Sequence, residues 1–270
     1  MRNLPIGVFD SGLGGLSVLK AIRKTLPNEN LIYIADNKYV PYGNREEDEL
    51  KERAFQITQF FTAIPVKAIV VACNTATATT IQYLRDQFEL PIIGVEPGIK
   101  PACEITNSGE VGVMATAGTL SSQKYENLKN LHGKDVTVHE HACEGLVAAI
   151  ESEYPDFDET LKIIKNIIVE FREKNVDAVV LGCTHYPLIE RLIQKEFHQA
   201  VTINTNPAIA RQLKRRLRDR NLLNSDSHIA SITYLASHAH IDFKDNIARI
   251  MTSEEALELI QLPDWCIEFY

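Results

Sequence analysis

Two cysteines end similar apolar segments, and polar side chains follow each of them. The first segment reads Ala68-Ile-Val-Val-Ala-Cys73-Asn74-Thr75, and the second reads Ala178-Val-Val-Leu-Gly-Cys183-Thr184-His185. Short continuous runs rich in β-branched residues are typical of strands buried on both faces. We therefore expect each thiol at the carboxyl end of a parallel strand, where open α/β sheets bind ligands.

These thiols have a structural and a chemical interpretation. A free cysteine often packs only as a small hydrophobe. Asn, Thr and His beside a thiol need hydrogen-bond partners, however, which favours a polar pocket. A thiolate is a good base and nucleophile, and a thiol on each wall of a cleft would suit inversion of a carbon stereocentre without a cofactor. The alternatives are a hydrolase with one Cys and one His, and a Cys/His metal site.

Segments around the cysteines also recur in the same order. Ile6-Gly-Val-Phe-Asp10 resembles Val111-Gly-Val-Met-Ala115, and Leu31-Ile-Tyr-Ile-Ala-Asp36 has a counterpart in Val136-Thr-Val-His-Glu-His141. The sequence therefore predicts an α/β protein of two pseudo-symmetric α/β domains, with largely parallel sheets and the active-site cleft between them. We place the first domain at residues 1–97 and 208–270 and the second at residues 98–207.

Composition limits the classes of function. The chain has 270 residues, 45% hydrophobic and 24% charged, which is typical of a soluble globular protein. A net charge of −8 argues against a nucleic-acid partner, and the run Arg211 to Arg220 is interpreted as a solvated helix face. No apolar run reaches membrane-spanning length. Five cysteines without close pairs indicate reduced thiols, so we expect a cytoplasmic protein without a membrane partner.

A glycine-rich turn follows the first predicted strand. It reads Asp10-Ser11-Gly12-Leu-Gly14-Gly15-Leu16-Ser17 and opens a helix, so its N–H groups would bind a carboxylate or phosphate unless it is only a tight turn. The pattern is not a dinucleotide fingerprint, and no P-loop lysine follows. Asp10 ends a buried strand, where a carboxylate needs a partner.

Other polar residues fall at equivalent places in the predicted sheets. Pro41-Tyr42-Gly43 is a turn whose glycine allows close approach of a ligand. Thr116 and Thr119 follow the first strand of the second half, and His185 is two residues from a candidate base. His139, His141 and Cys143 would share one strand face, but no fourth ligand is evident, and we predict no metal site.

Four motifs together resemble the glutamate racemase family, within the aspartate/glutamate racemase superfamily. They are Val8-Phe-Asp10-Ser11-Gly-Leu-Gly-Gly-Leu-Ser17, Pro41-Tyr42-Gly43, Val71-Ala-Cys73-Asn74-Thr75-Ala76 and Leu181-Gly-Cys183-Thr184-His185-Tyr-Pro187. The resemblance covers nearly the whole chain, with the motifs in the same order. It implies interconversion of L- and D-glutamate without a cofactor, supplying D-glutamate for bacterial peptidoglycan.

The resemblance also implies roles for individual residues. Cys73 would act on the α-proton of D-glutamate and Cys183 on that of L-glutamate, with Asp10, His185 and Glu151 as supporting acid/base groups. The residues implied to bind substrate are Asp10, Ser11, Tyr42, Gly43, Asn74, Thr75, Thr116, Thr119, Thr184 and His185.

Two segments depart from the family pattern. Ile203-Asn-Thr-Asn-Pro207 stands where the family commonly has an Ile-Asp-Ser-Gly-like turn, which predicts different domain packing there. Gly94-Val-Glu96-Pro-Gly-Ile-Lys-Pro101 resembles the branch regulated by a peptidoglycan precursor, although we expect this protein to lack the N-terminal extension of that branch. A homodimer and such a precursor are the further partners that the resemblance implies.

Overall fold

Parallel strands alternate with helices along the chain, as the apolar runs and amphipathic segments predict. The computed structural model describes residues 1–154, 157–251 and 259–262. The strands are β1 Ile6–Asp10, β2 Leu31–Ala35, β3 Ala68–Val71, β4 Ile92–Gly94, β5 Glu110–Ala115, β6 Thr137–Ala142, β7 Ala178–Leu181, β8 Val201–Ile203, β9 Ile232–Ala236 and β10 Leu259–Gln261.

Helices connect these strands and cover the sheets. The α-helices are α1 Gly15–Thr25, α2 Glu47–Ala63, α3 Asn74–Gln87, α4 Ile99–Ile105, α5 Ala117–Leu120, α6 Gln123–His132, α7 Leu146–Glu153, α8 Asp158–Glu173, α9 Glu190–Glu196, α10 Asn206–Asp219 and α11 Ile241–Met251. In the same described ranges, 3₁₀ turns occur at Asn37–Tyr39, Tyr42–Asn44 and Tyr186–Ile189. Within the described ranges, no helix is long and apolar enough to cross a membrane.

The strands form two parallel sheets with matching topology. The first sheet has the order β10-β9-β2-β1-β3-β4, and the second has the order β6-β5-β7-β8. The second sheet therefore repeats the order β2-β1-β3-β4 of the first. Every pairing between these strands is parallel. The predicted fold class of two similar α/β units is confirmed.

Two glycines show how closely the units correspond. Gly7 of β1 pairs with Ile69 of β3, and Gly112 of β5 pairs with Val179 of β7. A Cβ on Gly7 would lie 2.8 Å from the ring of Phe61, and one on Gly112 would lie 2.9 Å from the ring of Phe171. In both units, the helix before the strand that leads to the cysteine packs a phenylalanine ring directly against a glycine of the neighbouring strand. Such close packing is typical of protein interiors.

The C-terminal part of the chain joins the first sheet. Strand β9 pairs with β2, and β10 pairs with β9. Helix α10 packs beside α1, and its apolar face, including Leu213 and Leu217, belongs to the same core cluster as Leu16. The basic side chains of Arg211 to Arg220 lie on its exposed face, as predicted. The domain limits at residues 97 and 208 stay a proposal, and Cys266 lies outside the described residues.

Candidate active site

The carboxyl ends of the two sheets face each other, and polar residues from both meet there. The Thr184 hydroxyl donates to Asp10 Oδ1 over 3.2 Å, although the two residues are 174 positions apart. The backbone N–H of Leu13 donates to Glu151 Oε1 over 2.6 Å. These bonds join the turn after β1 to residues after β7 and in α7. The structure therefore brings the predicted site residues of both halves into one cleft.

Cys73 ends the loop after β3 and caps helix α3. Its sulfur accepts a hydrogen bond from the backbone N–H of Ala76 over 3.5 Å. The side chain is only 5% exposed, and burial raises the pKa of the Cys73 thiol well above its usual value. Negative charge on Asp10 and on Cys183 raises this pKa further, while the helix N–H group lowers it. The two thiols thus lie within electrostatic reach of each other.

Cys183 lies beside a histidine and a carboxylate in series. Its sulfur is 3.6 Å from Nδ1 of His185, and His185 Nε2 is 2.5 Å from Glu151 Oε1. Burial lowers the pKa of His185, but hydrogen bonds to Cys183 and Glu151 outweigh it and raise that pKa well above its ordinary value. A protonated imidazole here stabilises negative charge on the sulfur. The carboxylate also fixes the orientation of the ring.

Asp10 is enclosed by the glycine-rich turn. Its Oδ2 accepts the N–H groups of Gly12 at 3.2 Å and Gly15 at 2.8 Å. Burial raises the pKa of Asp10, and the charge on His185 and these two N–H groups lower it in part. A Cβ on Gly12 would overlap the Glu151 carboxylate, so a larger residue does not fit there.

Three threonine hydroxyls form a cluster across the cleft. Thr75 of α3 lies 2.8 Å from the hydroxyl of Thr116 and 3.4 Å from that of Thr119, and the last two are 3.0 Å apart. Hydroxyls both donate and accept, so the cluster can reorient toward a bound carboxylate.

Asn74 and Ser11 lie at the same edge. Asn74 is 6% exposed, and its Nδ2 has no hydrogen-bond partner among the described residues. A buried amide without a partner is costly unless a ligand completes it. Ser11 is 3% exposed in the turn that begins at Asp10.

Tyr42 and Gly43 occupy the 3₁₀ turn Tyr42–Asn44 at the rim of the cleft. A Cβ on Gly43 would lie 2.8 Å from Cβ of Thr116, so this glycine permits close contact with the second half. The Tyr42 hydroxyl donates to Asp36 Oδ2 over 2.6 Å. A cavity of about 630 Å³ adjoins the site at Leu13 and Glu151.

The two histidines of strand β6 each lie near a carboxylate. His139 Nε2 is 2.6 Å from Glu110 Oε2, and His141 Nε2 is 3.7 Å from Glu170 Oε1. In the part of the chain that the structure describes, no three His, Cys, Asp or Glu side chains are grouped to hold a metal ion. Among the described residues, each of the two histidines instead has a single carboxylate neighbour, on β5 or on α8.

Sequence reasoning missed three residues that support the site. Tyr33 donates its hydroxyl to the carbonyl of Gly12 over 2.5 Å, and Arg53 forms a buried ion pair with Asp36. The available signal was an arginine on the apolar face of α2, between Leu50 and Ile57. A charge at such a position requires a buried partner.

Comparison with known proteins gives a consistent result. The family model described as Asp/Glu/Hydantoin racemase matches residues 6–213. A glutamate racemase of Clostridium botulinum is 38% identical over 246 residues, covering 91% of this chain and 96% of the relative.

Solved structures agree over nearly the full length. A glutamate racemase isoform of Bacillus anthracis superposes with a TM-score of 0.86 at 33% identity, covering 97% of this chain and 99% of the other. Escherichia coli glutamate racemase, in complex with L-glutamate and the activator UDP-MurNAc-Ala, gives 0.82 at 30% identity, covering 96% and 97%.

Proposed function

The chain belongs to the Asp/Glu/hydantoin racemase family and, within it, to the glutamate racemases, and from that premise we propose a two-thiol mechanism without a cofactor. The observation that carries the proposal is the position of Cys73 and Cys183. They end equivalent strands of two facing sheets. The charge on Asp10 acts on Cys73, and the Cys183 sulfur lies 3.6 Å from Nδ1 of His185. A planar carbanion between them would have a thiol at each face.

The proton transfers balance in one turnover. From L-glutamate, the Cys183 thiolate takes the α-proton, so the C–H bond breaks, an S–H bond forms and the electron pair moves into the α-carboxylate. The Cys73 thiol then donates its proton to the opposite face, which leaves D-glutamate, a Cys73 thiolate and a Cys183 thiol. The reverse reaction starts from Cys73.

The supporting groups assist each thiol in a different way. We assign Asp10 to Cys73, because its charge acts on that thiol. In the proposed mechanism the carboxylate accepts the thiol proton when D-glutamate is the substrate. We assign His185 and Glu151 to Cys183, because the imidazole faces the sulfur and the carboxylate faces the imidazole. Both arrangements generate a base from a buried thiol.

Binding of the substrate must restrain its carboxylates and stabilise the developing charge. An α-proton of an amino acid is barely acidic, so donors must act on the carbanion more strongly than on the ground state. We assign this role to N–H, amide and hydroxyl donors at the cleft. The donors come from Ser11, Gly43, Asn74, Thr75, Thr116, Thr119, Thr184 and His185, and from the backbone of Tyr42, because its hydroxyl donates to Asp36. Asp10 would instead accept from the substrate ammonium group.

The biological setting follows from this activity. We propose a cytoplasmic enzyme that supplies D-glutamate for peptidoglycan synthesis, with a homodimer as its assembly. The domains would be residues 1–97 with 208–270, and residues 98–207, so that each thiol lies in a different domain.

Regulation by a peptidoglycan precursor is a further part of the proposal. The E. coli structure contains the activator UDP-MurNAc-Ala. In this chain, a cavity of about 480 Å³ beside β4 and α10 is lined by Arg85, Arg216 and Arg220. Guanidinium groups suit a diphosphate. Activation by UDP-MurNAc-Ala that Arg216→Gln weakens, without a change in the basal rate, would support this site, and an unchanged rate in the wild type would exclude the regulation.

The test of the activity compares substrates. Dialysed protein treated with EDTA is incubated separately with L-glutamate, D-glutamate, L-aspartate and D-aspartate. The loss of the circular dichroism signal of each enantiomer measures racemisation. We expect both glutamates to reach the racemic mixture. Racemisation of aspartate in preference to glutamate would instead favour a sister racemase. Binding of glutamate without any racemisation would favour a metabolite-binding protein.

A further inference from the structure

Two buried ion pairs lie at opposite ends of the first sheet. Asp36 follows the carboxyl end of β2 and pairs with Arg53 of α2, and the side chains are 0% and 1% exposed. Lys67 precedes β3 at the amino end of the sheet and pairs with Glu29, and these side chains are 1% and 2% exposed. Only the first pair lies at the edge where the cleft forms.

The Asp36 carboxylate uses both oxygens. Arg53 Nη2 donates to Oδ1 over 2.5 Å, and Arg53 Nε donates to Oδ2 over 2.9 Å. The hydroxyl of Tyr42 donates to the same Oδ2 over 2.6 Å. Burial and the charge on Asp36 raise the pKa of Tyr42 well above its usual value, so the phenol stays a neutral donor.

Arg53 also contacts the beginning of the loop that carries Tyr42. Its guanidinium carbon lies 4.2 Å from the ring centroid of Tyr39, which ends the 3₁₀ turn Asn37–Tyr39. The loop at residues 37–44 is therefore restrained at two points, by stacking on Tyr39 and through Asp36 at Tyr42. A planar guanidinium serves both contacts, whereas an ammonium group would not.

The restrained turn is part of the wall of the cleft. Gly43 leaves no room for a Cβ against Thr116, and a Cβ on Gly118 would lie 3.2 Å from the carbonyl oxygen of Gly43. The turn Tyr42–Asn44 thus fits against α5 and the threonine cluster of the second half. A shift of even 1 Å in this turn would change the wall that faces the substrate.

We propose that Arg53 and Asp36 are positioning residues that hold the turn Tyr42–Asn44 in its substrate-binding place. This inference rests on the proposed function, because it assigns the turn to the binding of glutamate. The pair acts through Tyr42 rather than on either thiol, so its loss weakens binding more than it slows proton transfer.

The experiment compares two matched substitutions, Arg53→Met and Lys67→Met. Each leaves a buried carboxylate without its cation, so both lower the free energy of unfolding. We expect the KM for glutamate to rise roughly tenfold in both directions for Arg53→Met only, with kcat within about threefold of wild type. Arg53→Lys should restore part of the affinity. Equal KM values for Arg53→Met and Lys67→Met would overturn the proposal.

A second variant covers the case in which Arg53→Met does not fold. Tyr42→Phe keeps the ring and the ion pair but removes the hydroxyl bond to Asp36. We expect a higher KM with a melting temperature close to that of the wild type, and an unchanged KM would overturn the proposal. A wild-type protein that racemises no glutamate would overturn the proposed function, and the positioning role with it.

Discussion

The walls that carry Cys73 and Cys183 are built alike but place different groups beside their thiols. Both cysteines follow the third strand of a β2-β1-β3-β4 arrangement. Cys73 then caps the 14-residue helix α3 and lies near a carboxylate. Cys183 instead leads into the short 3₁₀ turn Tyr186–Ile189 and contacts an imidazole that is paired with Glu151.

The repeated fold determines where the two thiols lie, whereas the neighbouring side chains determine the chemical environment of each thiol. The fold places a thiol at each face of the cleft. A helix N-terminus and a carboxylate lie near one thiol, and an imidazole paired with a carboxylate lies beside the other. At Cys73, burial and the charge on Asp10 both disfavour a charged sulfur, so in the proposed mechanism Asp10 takes up the thiol proton. At Cys183, the proposed mechanism uses the imidazole to offset negative charge on the sulfur.

Loss of either thiol should have the largest effect. A serine hydroxyl is a far weaker base than a thiol, so we expect Cys73→Ser and Cys183→Ser each to lower kcat/KM by about 10²–10⁴-fold. Initial rates measured by circular dichroism check this. Cys103→Ser, in α4, is the matched control and should keep the wild-type rate. Near-full activity in either site variant would show that this thiol is not required and would contradict the two-thiol mechanism.

Replacement of a supporting group should affect proton transfer at one thiol more than at the other. The equilibrium constant of a racemase is one, so kcat/KM must fall equally in both directions. With His185→Asn, proton transfer at Cys183 becomes slower, and the isotope effect on α-deuterated L-glutamate should rise while that on D-glutamate falls. Asp10→Asn should give the opposite pattern. The same pattern for both variants would refute the assignment of one helper to each thiol.

The same two residues should affect stability in opposite directions. The folded pKa of His185 is raised above 6.5, so its contribution to stability is complete below about pH 6.5 and is lost as pH rises through the folded pKa. The folded pKa of Asp10 is raised above 3.8, so its ionised form costs stability at neutral pH.

Urea and thermal unfolding across pH measure both effects. His185→Asn should be less stable than wild type, most of all below about pH 6.5. Asp10→Asn should melt at a higher temperature than wild type at pH 7 and should lose this advantage as pH falls to about 3.8. A lower melting temperature for Asp10→Asn at pH 7 would show that its hydrogen bonds outweigh the cost of its charge.

The sequence was sufficient to predict the residues that end strands. Asp10, Cys73, Thr116 and Cys183 follow apolar runs, and parallel strands bring their carboxyl ends to one edge. The fold class followed from the recurring segments by the same argument. The ion pair of Asp36 and Arg53 was not predicted, because it depends on how α2 is rotated against the sheet.

The contacts between the two halves could not be predicted from the sequence either. Glu151 was assigned only through the family resemblance, since nothing in its helix indicates that it accepts the N–H of Leu13. That bond spans 138 positions. Such contacts depend on the relative placement of two sheets, which hydrophobic periodicity does not encode.

The most direct test of the two-thiol account is the fate of the α-proton in a single turnover. Protiated L-glutamate is mixed with the wild-type enzyme in D₂O, and early samples are separated by enantiomer and examined by proton NMR. With two bases, the D-glutamate formed carries solvent deuterium at the α-carbon, while the recovered L-glutamate keeps its proton. D-Glutamate that retains the original proton would show that one base serves both faces and would contradict the account.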